Sequence, residues 1–480
     1  MINYRPFPAE TLSIVPPRDP QADPRTSLDR LRARFARHEG LPFADVLTEA
    51  RIHDALDEHG VRYRDRVFSP VTTLWGFLSR VLSADQSCRD AVTRIIAHRA
   101  AAGLETCSPN TASYGNARGR LPTGVLGALA KRTAGELQAA TAEEWKGNGR
   151  SVFIADGSHV SMPDTPENQA AYPQPPAQQP GLGFPLARIL VLLSLATGAC
   201  HDPAIAPYEG KGTGETTLLR EMYGVLKPGD VVLADALFGN YFLICESRER
   251  GIDLVARAQY QRVGSRVLAS RPDGEIRLWQ RPNTPHGMTG QQYRRYPKSL
   301  VMRQVSVDAH DKENRAERFK VITTILDASI DGAQIGDLFE RRWEGEVDIR
   351  PIKATMQMDV LRCKAPEMVR KEIWAHLLAY NLLRTAMAVA AGENGLEPRQ
   401  VSFKGAKQAV TAFAPKLEAA RPEARPALID AMLAVIAYHR VGDRPGRWEP
   451  RAWKRRPKPG AKLGQPRARA RLPENRSRWF

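Results

Sequence analysis

From about Ser27 to Glu144 apolar residues recur three and four apart, a spacing that predicts amphipathic helices. The sharpest instance is SPVTTLWGFLSRVL (69–82), where Val71, Leu74, Leu78 and Leu82 share one face. Ser83-Ala84-Asp85-Gln86 breaks it, and CRDAVTRIIAHR (88–99) follows as a second helix with basic residues on its polar side. Two short Arg-rich helices across a tight break suit a helix-turn-helix that reads DNA; a plain helical bundle gives the same pattern. After Gly149 the texture changes. Val152–Ala155 (VFIA) is a buried-strand run ending in Asp156, and YPQPPAQQPGLGFP (172–185) is a loop. Strands are expected at Arg188–Leu195 and near Ala199–Ala206, with a helix at 214–226. DVVLA (230–234) is another buried strand, ending in Asp235; a helix (241–251) and a strand (252–258) complete an alternating α/β layer. Residues 259–320 break into short alternating segments and turns, a β-rich insertion, before the strand FKVITTIL (319–326) and a helix from about Ile335 resume the layer.

Charge sharpens this picture. The 480 residues carry a net charge of +17, and residues 440–480 alone hold 14 Arg and Lys against 3 acids. A Pro-, Arg- and Lys-rich tail of this kind calls for a polyanion, nucleic acid before membrane. The length suggests two to four domains, and 42% hydrophobic with 26% charged residues describes a soluble globular chain. The longest apolar run, Ile189–Ala196, falls far short of the roughly 20 residues that span a bilayer. The start, MINYRPFPAE, has no stretch like a signal peptide, and five scattered cysteines form no CxxC pair. Both suit a cytoplasmic protein and argue against a cysteine-ligated zinc site. YEGKGTGET (208–216) lacks the order of a phosphate-binding P-loop, so no nucleotide cofactor is expected. His159, His201 and His376 show no metal-ligand spacing.

Candidate chemistry gathers at three places. Asp156 and Asp235 sit where apolar strands end, and ligands of α/β sheets collect at the carboxyl ends of strands, although an aspartate there also caps turns. In FERRWEGEVDIRPIK (339–353), Arg342, Glu346 and Lys353 fall at about 0°, 40° and 20° around a helix, with Phe339 near about 60°. One stripe thus presents a carboxylate between two cations; a solvated face of ion pairs gives the same pattern, and Pro351 would distort the helix between Glu346 and Lys353. Asp164, Asp202, Asp230, Glu344 and Asp348 are read as structural.

Three blocks together, IADGSHVSMPDTPEN (154–168), VVLADALFGNYF (231–242) and residues 339–384, resemble the DDE transposases of bacterial insertion sequences, specifically family four. That family's signature is Tyr, two residues, Arg, three residues, Glu, six residues, Lys; the spacing is met by Phe339, Arg342, Glu346 and Lys353, with Phe for Tyr. The end WEPRAWKRRPK (448–458) is similar too, so the resemblance runs from about residue 65 onward.

The resemblance implies an α/β (α+β) fold: a ribonuclease-H-like mixed sheet with flanking helices, a β-rich insertion, an α-helical N-terminal domain and a helical, basic C-terminal region. The division expected is a flexible 1–26, a helical DNA-binding domain at 27–150, a core in two parts (151–258 and 321–390), the insertion at 259–320, and C-terminal helices and tail at 391–480. Asp156, Asp235 and Glu346 would be catalytic and would hold two Mg²⁺ ions, with Mn²⁺ as substitute, about 3.5–4 Å apart. Arg342 and Lys353 would grip phosphates, Arg by a planar fork and Lys as a point charge. Phe339, Arg294, Arg295, Lys454, Arg455 and Arg456 are further candidates for contact with DNA. Trp279, in the insertion, is a candidate to stack on a flipped base, or simply fills the small β core.

The implied activity is cut-and-paste transposition through a hairpin intermediate. The implied partners are double-stranded DNA, both terminal inverted repeats and target DNA, with a homodimer formed through helices in 373–440 and no membrane. The setting would be the bacterial nucleoid. A ribonuclease-H-like nuclease without strand transfer and an inactive transposase-derived DNA-binding protein remain as alternatives.

Overall fold

Among the described residues five α-helices precede the first strand: α1 (Glu49–Glu58), α2 (Pro70–Leu82), α3 (Cys88–Ala101), α4 (Ala112–Arg120) and α5 (Thr123–Ala139). They belong to a computed structural model that describes residues 46–442 except 65, 148, 260–263 and 311–315, together with 465, 466 and 469. The expected segment 1–26 and the basic cluster Lys454–Arg456 lie outside the described residues. The starts of α2 and α3 are set by capping: the Ser69 hydroxyl accepts from the Thr72 N–H with Pro70 in the first turn, and the Ser87 hydroxyl accepts from the Asp90 N–H.

The break between α2 and α3 is not a free surface turn. Gln86 takes a left-handed φ of 52°, and its buried side chain donates to the Met356 carbonyl at 2.6 Å. Gln357 Nε2 donates to the Ala84 carbonyl at 3.1 Å and Arg362 Nη1 to the Asp85 carbonyl at 2.6 Å. The turn is therefore docked on the segment that follows Lys353.

The strands are β1 (Val152–Ser161), β2 (Leu186–Ser194), β3 (Cys200–Pro207), β4 (Val231–Ala234), β5 (Asp253–Arg257), β6 (Ser265–Arg271), β7 (Gly274–Gln280), β8 (Ser299–His310) and β9 (Ala316–Thr323). They form one nine-stranded sheet in the order β3-β2-β1-β4-β5-β9-β8-β7-β6. Pairing is parallel at β1–β4–β5 and antiparallel elsewhere, the mixed ribonuclease-H-like sheet expected, with the insertion present. Two details differ from expectation. The strand carrying Asp156 continues to Ser161, because Asp156 through Ser161 keep pairing with β2 after β4 has ended. The insertion does not build a core of its own; β6–β8 extend the central sheet from β9.

Between and after the strands lie α6 (Pro166–Ala171), α7 (Glu215–Glu221), α8 (Tyr241–Glu249), α9 (Gly290–Arg294), α10 (Gly332–Glu340), α11 (Glu344–Arg350), α12 (Pro366–Glu393), α13 (Phe403–Ala419) and α14 (Arg425–Tyr438). Alternation along the strands sends apolar side chains to both faces. Ile154, Leu233 and Val255 join a large core shared with α1, α2, α5 and α10–α14. Phe153, Val232 and Leu254 pack with α7 and α8 on the other side. Helix α12 is the hub of the larger core and is buried along Ile373–Ala391 but for Trp374, so this part of 373–440 is interior rather than a surface for a second subunit. No helix among the described residues is long and apolar enough to cross a membrane.

Candidate active site

Strand register sets the two aspartates at the ends of neighbouring strands. In the parallel pair β1–β4 the last partners are Ile154 and Leu233; two residues further along each strand come Asp156 and Asp235. With a side-chain period of two, both leave the sheet on the face of Ile154 and Leu233. β4 stops at Ala234, and Asp235 caps the 3₁₀ turn Ala236–Phe238, its carboxylate accepting from the Leu237 N–H at 2.8 Å. Asp156 is half-buried and accepts from the Gly157 N–H at 2.9 Å. Burial pushes its carboxyl up to about 6; the Gly157 N–H and Arg342 oppose the rise, and the negative charges of Glu346 and Glu215 add to it.

Glu346 reaches this place because α11 lies directly on β1. The contact is made by Gly345: a Cβ there would stand 2.7 Å from Ile154 Cγ2 and 3.7 Å from Asp156 Cβ. Gly345→Ala is accordingly expected to cost about 1–3 kcal/mol by overpacking and to lift Glu346 away from Asp156. Denaturant unfolding checks the first part; an unchanged midpoint would mean that helix and strand do not meet this closely.

Helix α11 is anchored from below by a buried ion network. Asp348 pairs with Arg384 of α12 and, at 2.8 Å, with Arg399; Glu344 pairs with Arg399 at 2.6 Å and Arg341 at 2.9 Å. These two acids, read as structural from the sequence, are each paired with two cations, while Glu346 two residues from each is exposed. Asp202 pairs with Lys131, Asp230 accepts from the Lys227 N–H, and Asp164 accepts from Gln169.

The segment 339–353 is not one regular helix. A 3₁₀ turn (Arg341–Trp343), α11 and a π turn (Pro351–Thr355) follow one another, so angles drawn at a uniform 100° do not locate Lys353. Pro351 sits where the winding changes. The π turn is held by its surroundings: Lys407 Nζ donates to the Thr355 carbonyl at 3.1 Å, and the Met356 carbonyl takes the Gln86 amide. The charges of Arg342 and Lys353 both act on residues of β1. Arg342 is felt by Asp156, and Lys353 is felt by His159, whose pKa is lowered first by burial and then by Arg188 and Lys353.

Other candidates fare differently. Phe339 is buried against Phe319 with ring centroids 5.7 Å apart, and the Arg342 guanidinium lies 5.8 Å from its ring. Phe339 thus supports the cation from within rather than meeting DNA. Trp279 is 3% exposed, packed into the core with Leu300 and Met302, so its indole offers no face for a base. Arg294 and Arg295 are exposed at the end of α9.

One acid was missed. Glu215, at the first position of α7, presses its carboxylate on the backbone of Gly157, where a Cβ would meet Glu215 Oε1 at 2.5 Å. Burial raises its pKa, Arg188 opposes, and the charge of Asp235 adds to the rise. Nothing in GKGTGET separated it from an ordinary acid at a helix start. Among the described residues no three His, Cys, Asp or Glu side chains close on a common point. The donor set at hand is all carboxylate oxygen, the chemistry that hard divalent cations select.

Residues 147–382 match the family model "Transposase DDE domain". The chain is 29% identical over 320 residues to the transposase InsG for insertion sequence element IS4 of Escherichia coli (strain K12), covering 64% of this chain and 69% of that protein.

Proposed function

The chain belongs to the DDE transposases of insertion-sequence family four, and from that premise we propose that it binds the terminal inverted repeats of its own element, cleaves the DNA there and joins the freed 3′ ends to target DNA. The observation that supports the reading is the register of the β1–β4 pair, which sets Asp156 and Asp235 at neighbouring strand ends, with the negative charge of Glu346 felt at Asp156. In this reading Asp156, Asp235 and Glu346 are the catalytic acids and the ligands of two Mg²⁺ ions, Mn²⁺ substituting. The half-buried Asp156 carboxyl, pushed up to about 6 and surrounded by further negative charge, fits a place meant for a cation. Bound there, the ions would activate the attacking oxygen and stabilise the leaving one.

The protein's own groups do the rest. Arg342 offers a planar fork to the phosphate beside Asp156, and Lys353 a point charge further along β1 toward His159. The exposed Arg294 and Arg295 hold backbone phosphates, as do Lys454, Arg455 and Arg456 of the tail. The division of labour proposed is end binding by 27–150, chemistry by 151–258 and 321–390, and DNA grip by 259–320 and 391–480, working as a homodimer at the paired ends.

The test is to incubate the purified protein with a DNA fragment carrying its own gene and flanks, with Mg²⁺, beside Asp235→Ala. Cuts at two inverted-repeat ends, absent without Mg²⁺ and in the variant, are expected, followed by joining to a second DNA. Breaks that never join would mean a nuclease; binding at the ends with no cleavage in Mg²⁺ or Mn²⁺ would mean an inactive DNA-binding protein.

A further inference from the structure

Away from the three acids, a cavity of about 510 Å³ opens between the α2–α3 turn and the segment entering α12. Its wall includes Arg80, Arg118, Arg362 and Lys364. Behind it stands Glu372, which takes one Arg80 nitrogen at 2.7 Å and the N–H groups of Arg362 and Cys363 at 2.9 Å each. One buried carboxylate facing four cations leaves the cleft strongly positive.

Two of these cations are built in rather than free to swing. Arg118 is 9% exposed, with its guanidinium 5.1 Å from the ring centres of both Phe77 and Tyr114. Its Nε and Nη1 are buried and have no acceptor among the described residues; the same holds for Arg80 Nη1. Native interiors seldom leave guanidinium N–H groups without an acceptor. The cleft also receives the start of α12, a 28-residue helix whose N-cap, Ala365, brings no side-chain acceptor. Orphan N–H groups and the positive end of a long helix favour an anion, and guanidinium forks favour one with several oxygens.

We propose that this cleft seats a backbone phosphate of bound DNA, gripped by Arg118 and Arg80 and closed from the rim by Lys364. The proposal rests on the transposase reading for the source of the phosphate. The wall Arg362 belongs to the stretch that leaves the π turn of Lys353 and clamps the α2–α3 turn, so the cleft is built by the chain segment that directly follows Lys353. No aromatic face is left for a base, because Arg118 already covers those of Phe77 and Tyr114. A phosphodiester is thus favoured over a nucleobase.

The full-length protein is titrated with a 40-base-pair duplex, drawn from the flank of its own gene, across a series of salt concentrations, beside Arg118→Gln, Arg118→Lys and Lys364→Gln. Each lost phosphate contact lowers the salt slope by about 0.9 and the affinity roughly threefold to tenfold. Arg118→Gln and Lys364→Gln are expected to show both losses, and Arg118→Lys to recover the slope. Lys364 lies at the rim, so its variant reads the contact even if Arg118→Gln loosens the stack on Phe77. Wild-type slope and affinity in both Gln variants, with DNA still bound and cut, would overturn the cleft and leave the transposase reading intact. Inorganic phosphate raising the melting temperature of the wild type alone at fixed ionic strength, with equal DNA slopes, would make it a small-anion site and overturn the DNA source. A wild type that binds no duplex at low salt would fail the transposase reading itself.

Discussion

Asp156→Asn is expected to abolish Mg²⁺-dependent DNA cleavage, by on the order of 10³-fold or more, while leaving DNA binding in place. The same change is expected to make the metal-free protein more stable. Folding raises the Asp156 pKa from 3.8 to about 6, so the native state holds this proton more tightly than the unfolded chain does. Stability therefore falls as pH climbs through that window, and above about 6 the fold carries a charged carboxylate in a half-buried, negatively charged place. Asparagine removes the charge. At pH 7.5 without divalent ions the variant should melt higher than the wild type, and the gap should close below about pH 4. Adding Mg²⁺ should reverse the order, because an ion that binds only the native wild type stabilises it by mass action. Melting curves at two pH values, with and without Mg²⁺, test this independently of any reaction. A variant that melts below the wild type at pH 7.5 without metal would mean that Asp156 is held as a structural anion.

The elements that carry this site were legible because each rests on a short-range rule. VFIA and DVVLA read as buried strands, and the aspartate after each could be assigned to one strand end, since register needs only the period of two. Glu346 was singled out by the family signature that its segment resembles, since the helical stripe alone fits a solvated face of ion pairs equally well. What hid its surroundings was the uniform helix assumed around it: the 3₁₀, α and π windings differ in residues per turn, and tertiary hydrogen bonds from Gln86 and Lys407 hold the last of them. Side-chain roles set by burial were out of reach for the same reason. Phe339 and Trp279 have the chemistry to meet DNA, and only the packing of Phe319 and Leu300 shows that each faces inward. Glu215 came into view only when α7 was laid on Gly157, a contact between residues 58 positions apart.

Helix α11, which carries Glu346, owes its position to buried charges, and the largest stability effect is expected there. Arg384 and Asp348 are 4% and 2% exposed, and Arg384 Nε also donates to the Tyr380 hydroxyl at 2.8 Å. Two charges out of water are costly, and their pairing returns little more than that cost. Removing one partner is the severe case, since the other keeps its desolvation cost and loses its compensation. Arg384→Met is therefore expected to destabilise the fold by about 3 kcal/mol, with Arg399 at 2.8 Å from Asp348 limiting the loss. Asp348→Leu combined with Arg384→Met should be less destabilising than the sum of the single changes, because it replaces the pair by apolar bulk. Function should not follow stability. The double variant frees α11 from α12 while keeping the fold, so Glu346 loses its fixed distance from Asp156, and cleavage should remain low at temperatures where the protein is fully folded. Denaturant unfolding of both single variants and the double variant, with cleavage measured on the same preparations, separates the two effects. Full cleavage in a folded double variant would mean that Gly345 on Ile154 is enough to hold the helix, and that the ion network serves stability alone.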